Sequence, residues 1–236
     1  MKRIGIIGSG DMGSGIARLA VAAGYEVLIA NSRGPASLQG LIEELGPQAR
    51  AGDVREAADF GEIPVLAIPL GAYPALPEGV LAGKAILSTG NYYLGRDGRI
   101  PQLDALELTT AELEQLLPGS VVVKAFNNIF SHHIPALAAP VPRTALAIFG
   151  DDEKAKAGIS TIVDELDFEP LDAGTLAESW RTEPESGAYT PIYAADLAIT
   201  ELGITSPHWV RAPVTGDQLR QLVARSQRAD VAALEF

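Results

Sequence analysis

The 236-residue chain contains no cysteine, which excludes disulfides, thiolate nucleophiles and cysteine-held metals. Histidine is also scarce, with three residues, two of them adjacent as His132 and His133. Neighbouring residues point in different directions on a helix or a strand. No carboxylate is placed to orient the pair, so they read as loop or surface residues, and no metal ligand set emerges. Basic residues are few, 18 Lys and Arg against 30 Asp and Glu, for a net charge of −12. That balance argues against nucleic acid as a partner, because phosphate binding needs clustered positive charge. An anionic ligand must therefore be drawn in by local features against the overall field. No apolar run approaches the roughly eighteen residues of a membrane span. The start lacks the basic, apolar and small-residue order of a secretory leader. The expectation is a soluble cytoplasmic protein without membrane contact.

What is present is a large apolar fraction, 47% of residues, enough for a sizeable core. The length suits one nucleotide-binding domain and a smaller second unit. Residues 1–33 organise the rest. They read as a strand (Arg3 to Ile7), a turn Gly8-Ser9-Gly10-Asp11-Met12-Gly13, an amphipathic helix carrying Ile16, Leu19, Ala20 and Ala23, and a second strand (Glu26 to Ala30). The turn fits G-x-G-x-x-G. Gly8 permits the tight exit from the strand, Gly10 lets backbone approach a pyrophosphate, and Gly13 lets the helix pack closely. The helix N-terminus offers free N–H groups and partial positive charge to the phosphates.

The residues after the second strand select the dinucleotide. An NAD-preferring site carries a carboxylate there for the ribose 2′-hydroxyl. This chain has Asn31-Ser32-Arg33 instead. Ser32 can donate a hydrogen bond and Arg33 a charged fork of donors, which suits the 2′-phosphate of NADPH. Ser32 also fits the N-cap of a following helix, and Arg33 a solvated surface position.

Further along, Ser37 to Leu45 suggests a short helix, Gln48 to Gly52 a short strand and Asp53 to Asp59 a polar connection. Ile63 to Ile68, Lys84 to Ser88, Val121 to Ala125, Thr144 to Phe149 and Phe168 to Leu171 are the apolar runs of buried strands. Thr109 and Glu112 have capping-box spacing ahead of a helix, and Asp151-Asp152 caps another that runs to about Leu166. Pro191 opens an apolar helix through Leu202, and a polar segment follows to the end. The alternation predicts an α/β protein with a doubly wound, mostly parallel Rossmann sheet. Residues 1–142 form its NADP-binding domain, and residues 143–236 a small C-terminal α/β cap for substrate binding and dimerisation.

Ligands in such sheets bind beyond the carboxyl ends of the strands. The candidate cofactor residues are thus Gly8, Ser9, Gly10, Asp11, Met12 and Gly13, then Asn31, Ser32 and Arg33. Ile68, Pro69, Leu70 and Tyr73 follow from the next strand end, and Asn91, Ala125, Phe126 and Asn127 from the two after it. Lys124 reads as a structural ion pair or a snorkelling lysine. Asn127 and Asn128 suit amide contacts to ribose or nicotinamide, or a turn. Tyr92 and Tyr93 read as packing or lining residues rather than acids. Trp180 and Arg181 suit a cover over a ring or an anionic tail, or a helix packed on the sheet.

Together the Gly8–Gly13 turn, Asn31-Ser32-Arg33, Asn91-Tyr92-Tyr93 and Lys124 to Ile129 resemble the NADPH-dependent coenzyme F420 oxidoreductases. The NADP-binding domain of that family is shared with the STEAP metalloreductases. Gly150-Asp151-Asp152, Leu171 to Gly174 and Glu178 to Arg181 extend the resemblance over nearly the whole chain. It implies hydride transfer between NADP(H) and a flavin-like ring held by the C-terminal domain, usually in a homodimer. The acceptor it implies is coenzyme F420. The C-terminal half lacks an obvious basic cluster for the anionic tail of F420, which leaves FMN, FAD, a quinone or ferric chelates open as the small-molecule redox acceptor.

Such a transfer relies on chemistry carried by the two cofactors, so the protein mainly stacks rings and excludes water. No side chain is singled out as an acid–base catalyst. A β-hydroxyacid dehydrogenase or imine reductase type shares the first domain. It needs a larger helical second domain and an acid–base Lys or Asp, however. An NADPH-sensing module that uses the nucleotide only to order an interface is a third reading.

Overall fold

The computed structural model describes residues 2–117, 119–139, 141–194 and 212–230. Eight strands form one sheet in the order β3-β2-β1-β4-β5-β6-β7-β8. They are β1 (Arg3–Ile7), β2 (Glu26–Ala30), β3 (Ala49–Ala51), β4 (Val65–Leu66), β5 (Ala85–Ser88), β6 (Val121–Lys124), β7 (Ala145–Gly150) and β8 (Glu169–Gly174). Every pairing is parallel except β6 with β7. The predicted α/β, mostly parallel Rossmann sheet is the observed one. β7 and β8 continue the same sheet beyond residue 142.

Helix α1 (Asp11–Ala22) lies on one face of the sheet, burying Ile16, Ala17 and Ala20 in a cluster with Ile4, Ile6, Val27, Ile29 and Val65. The alternate residues Ile7, Leu28, Leu66, Ile86 and Val122 point to the other face. There they meet Ala57 and Ala58 of a helix that occupies the stretch expected to be a polar connection. After α2 (Gln39–Leu45), this helix is α3 (Val54–Asp59), opened by a capping box between Asp53 and Glu56. Its backbone lies directly on β1, where a Cβ on Gly5 would fall 1.7 Å from the Ala57 carbonyl oxygen. The D-x-x-E signal was in the sequence, but one turn of apolar residues is too short to show helical periodicity.

The expected strand from Ile63 to Ile68 is reduced to two residues. Pro64 has no N–H to give, yet its carbonyl still accepts from Leu87 N, and Ala67 N donates to Ile7 O, so the ladder extends around β4. Helix α4 (Thr110–Gln115) begins at the predicted Thr109–Glu112 capping box. Helix α5 (Glu153–Glu165) begins at Asp152, whose side chain accepts from Ala155 N. The tail expected to be polar throughout contains α6 (Gly216–Arg225), capped by Thr215 and packed through Leu219 and Val223. The apolar helix expected over Pro191 to Leu202 falls mostly outside the described residues; Thr190–Tyr193 is a 3-10 turn. Among the described residues no helix is long and apolar enough to cross a membrane.

Candidate functional site

The sheet register aligns the ends of five strands. Ala30 pairs with Ile7, Ile7 with Leu66, Leu66 with Ser88 and Ser88 with Lys124. One row across the sheet is thus followed by Asn31, Gly8, Ala67, Thr89 and Ala125, and all five loops leave from the same line. The order reverses between β1 and β4, the place where open α/β sheets form a ligand crevice. All the strand-end residues picked from sequence lie along this edge.

The three motif glycines separate into two kinds. Gly8 has φ +117°, and a Cβ there would sit 2.1 Å from the Ala67 carbonyl oxygen. A Cβ on Gly13 would come within 2.0 Å of the Gly8 carbonyl oxygen. Both are dictated by the protein's own packing. Gly10, the N-cap of α1, has an ordinary extended backbone, and a Cβ there meets nothing within 4 Å. The space beside Gly10, at the positive end of a three-turn helix, fits the approach of an anionic group. Ser9 is half-buried and its carbonyl accepts from Ser14 Oγ; Asp11 is exposed, and Met12 packs against the core.

Asn31 braces this turn. Its Nδ2 donates to Ser9 Oγ at 2.9 Å, while its Oδ1 accepts from Arg33 N at 3.0 Å. Ser37, not singled out from sequence, donates from its hydroxyl to Gly34 O and also contacts Asn31. Ser32 and Arg33 are exposed at the end of β2.

The loops after β4 and β5 are tied by Asp97, which accepts from Gly71 N, Tyr93 N and Arg96. Burial pushes its carboxyl up, but these donors, led by Arg96, bring it below the ordinary carboxylate value. Ile68 and Tyr73 are half-buried, Pro69 is exposed and Leu70 is buried. Tyr73 turns its hydroxyl inward to Glu114 Oε1 at 3.0 Å. Glu114 is wholly buried on α4, its Oε2 has no hydrogen-bond partner, and burial raises its pKa although Lys124 opposes the shift. Burial likewise holds the Tyr73 phenol well above its usual range.

Lys124 is fully buried and forms an ion pair with Glu183 at 3.0 Å, so its structural reading holds. Glu183 also accepts from Thr110 N and Ser179 Oγ. Neither Glu114 nor Glu183 was singled out from sequence, because a lone Glu in a polar segment carries no sign of burial.

Ala125, Phe126 and Asn127 are buried at the end of β6, where Phe126 takes a positive φ of 61° and packs edge-on against Phe168. The Asn127 amide donates to Thr182 O at 2.9 Å and to Asn91 Oδ1 at 3.2 Å, and Asn91 returns a bond to Asn127 O at 2.7 Å. These amides join two crevice loops to the C-terminal segment. Asn128 does the same through Ala188 O. Arg181 pairs with Glu178 and stacks on Trp180 at 4.4 Å, so its charge is engaged within the chain. His133 is buried in a 3-10 turn beside Phe130 and His132. Among the described residues no group of three or more His, Asp and Glu could hold a metal.

A second cavity, about 500 Å³, lies at the opposite ends of the strands and is lined in part by Lys2, Tyr25, Ile63 and Glu165. It is remote from the strand-end row.

Comparison with known proteins agrees with this geometry. Residues 3–92 match the family model described as NADP oxidoreductase, coenzyme F420-dependent. Over 183 residues the chain is 31% identical to the metalloreductase STEAP3 of Rattus norvegicus, covering 77% of this chain and 36% of that protein. A hypothetical protein of Sinorhizobium meliloti superposes with a TM-score of 0.65 at 29% identity, over 76% of this chain and 88% of the other. An Arthrobacter protein to which F420-dependent NADP reduction has been ascribed superposes with a TM-score of 0.60 at 25% identity, over 76% and 87% of the two chains. The chain is thus similar to the coenzyme F420-dependent NADP oxidoreductases over residues 3–92 and to a STEAP metalloreductase over 183 residues, of which it spans about a third, on the fold of an NADP-binding oxidoreductase.

Proposed function

We propose that the protein is an NADPH-dependent oxidoreductase that passes a hydride between NADP(H) and coenzyme F420 or another flavin-like acceptor. The observation that carries this reading is the open helix N-terminus at Gly10, with Ser32 and Arg33 standing where an NAD site would carry a carboxylate. In this reading the pyrophosphate lies against residues 8–13 and the 2′-phosphate against Ser32 and Arg33. Asn31 holds those two loops in fixed relation through Ser9 and Arg33. The nicotinamide extends towards Ile68, Pro69, Leu70, Asn91 and the Ala125–Asn127 turn, with Tyr73 behind them. A bound NADPH supplies the hydride; the chain orients it and keeps water away. Residues 143–236 present the acceptor to the crevice, and two copies pair as a homodimer.

Similarity to the family supports F420, and similarity to STEAP3 supports an acceptor linked to metal reduction. The acceptor is decided by anaerobic NADPH oxidation with F420, FMN, FAD and a ferric chelate in parallel, with NADH as the control. The expected result is turnover of F420 or a flavin with NADPH and little with NADH. Equal use of NADH, or NADPH binding without turnover of any acceptor, refutes the reading.

A further inference from the structure

Helix α4 is held firmly against its surroundings. Thr109 Oγ1 donates to Leu176 O at 2.9 Å, Gln115 Oε1 accepts from Val122 N at 2.9 Å, and Gln115 Nε2 donates to Ser120 O at 2.6 Å. From this support Glu114 reaches under two crevice loops, wholly shielded from solvent. Its Oε1 accepts from the Tyr73 hydroxyl at 3.0 Å, and its Oε2 has no hydrogen-bond partner.

The loop after β4 continues into the turn Leu70–Ala75. Among the described residues two hydrogen bonds tie that turn to other segments, Gly71 N to Asp97 Oδ1 at 3.2 Å and Tyr73 to Glu114. The same carboxyl lies against the loop leaving β5. A Cβ on Gly90 would fall 1.9 Å from Glu114 Oε1 and 3.1 Å from its Cδ. Gly90 has no positive φ, so the carboxyl, not the backbone conformation, requires glycine there.

A carboxyl in this place costs stability. An oxygen taken out of water without a partner forfeits its hydration, and Lys124, the cation that acts on it, is itself paired with Glu183. Packing alone is served better by an apolar side chain of similar size.

We infer that Glu114 is a positioning residue for hydride transfer: through the Tyr73 hydroxyl and the face of Gly90 it sets the loops after β4 and β5 at the nicotinamide end of the crevice. The inference rests on the oxidoreductase reading above. In that reading NADPH is held by residues 8–13 and by Ser32 and Arg33, none of which Glu114 touches. The nicotinamide end governs the distance over which the hydride moves to the acceptor, and a small misplacement there costs rate far more than affinity. Glu114 is closed off from solvent, so it acts only through the two loops.

The test compares the wild-type protein with Glu114→Leu, Glu114→Gln, Tyr73→Phe and the double variant Glu114→Leu/Tyr73→Phe, using F420 and FMN as acceptors. Glu114→Leu is expected to lower kcat by about ten- to a hundredfold. Its NADPH dissociation constant, read by fluorescence, stays within about twofold, as expected of separate sites. Its thermal midpoint matches or exceeds that of the wild type, because a buried carboxyl gives way to an apolar side chain. A purely structural role predicts the reverse, a lower midpoint with kcat unchanged. Tyr73→Phe is slowed to a similar extent, and the double variant is no slower than Glu114→Leu, since both act through one bond. Glu114→Gln keeps an acceptor for Tyr73 and restores most of the lost rate. Wild-type turnover with an unchanged kcat in Glu114→Leu, or with losses that add in the double variant, overturns the assignment while leaving the oxidoreductase reading intact. Should Glu114→Leu fail to fold, an unchanged kcat in Tyr73→Phe overturns it in the same way. A wild-type protein that binds NADPH and reduces no acceptor overturns both.

Discussion

Lys124→Met removes a buried charge while keeping the apolar stem, and its cost follows from the surroundings of that charge. The Lys124 side chain is fully excluded from solvent, and Glu183, its partner at 3.0 Å, is 15% exposed. At that distance and an effective dielectric near 20 the gross attraction is about 5–6 kcal/mol. Desolvation of both ions offsets much of this, so the intact pair adds little net stability. Removing one partner is different, because Glu183 then keeps only the neutral donors Thr110 N and Ser179 Oγ, and Glu114 loses the one cation that opposes its burial. The expected loss is about 3–5 kcal/mol. At about 2–4 °C per kcal/mol for a chain of this size, the midpoint falls by about 6–20 °C. Thermal and urea unfolding of the wild type, K124M, E183Q and K124M/E183Q measure it. The double variant is expected to recover much of the loss, since its remaining side chains are neutral. A K124M midpoint within 2 °C of the wild type refutes the reasoning that this pair clamps the C-terminal segment to the sheet.

Three further outcomes are expected. Glu114 binds its proton more tightly in the folded protein than in the unfolded chain. Its contribution is therefore complete below the ordinary value of 4.5 and is lost as pH rises through the raised folded value. Glu114→Gln should flatten that decline, and equal pH slopes for the two proteins in urea unfolding would falsify the assignment. Gly10→Ala should fold with a stability change of no more than about 1 kcal/mol, since the added methyl meets no protein atom. It should bind NADPH poorly. Gly13→Ala, driven into the Gly8 carbonyl, should instead be strongly destabilised; the reverse ranking in calorimetry and nucleotide titration counts against the division of roles. Arg33→Ala should weaken NADPH by roughly ten- to a hundredfold, as expected for a charge-assisted bond, and leave NADH almost unaffected. Equal losses for both nucleotides would detach Arg33 from the 2′-phosphate.

The glycine turn, the strand alternation and the capping residues Thr109 and Asp152 were legible in the sequence, because each is a local rule. Backbone sterics require glycine at the strand exit. Burial on both faces requires continuous apolar runs, and a helix start requires a side-chain acceptor. The same rules placed five loops at one edge of the sheet. They did not place α3 or α6, whose apolar faces span too few turns to show a period, nor the short extent of β4. Only the tertiary structure decided which polar residues are buried and with whom. Glu114 and Glu183 look like any surface glutamate until α4 and the C-terminal segment close over Lys124. Asn127 suits a ligand contact in sequence, yet its amide is occupied by Asn91 and Thr182, because a buried amide must find its partners inside the protein. Tyr93 finds a partner for its hydroxyl only when the hydroxyl of Tyr189, 96 residues away, meets it in the folded chain. Local sterics and periodicity act within a few residues and are written in order along the chain. The pairing of buried polar groups depends on distant segments meeting, which happens only in the folded state.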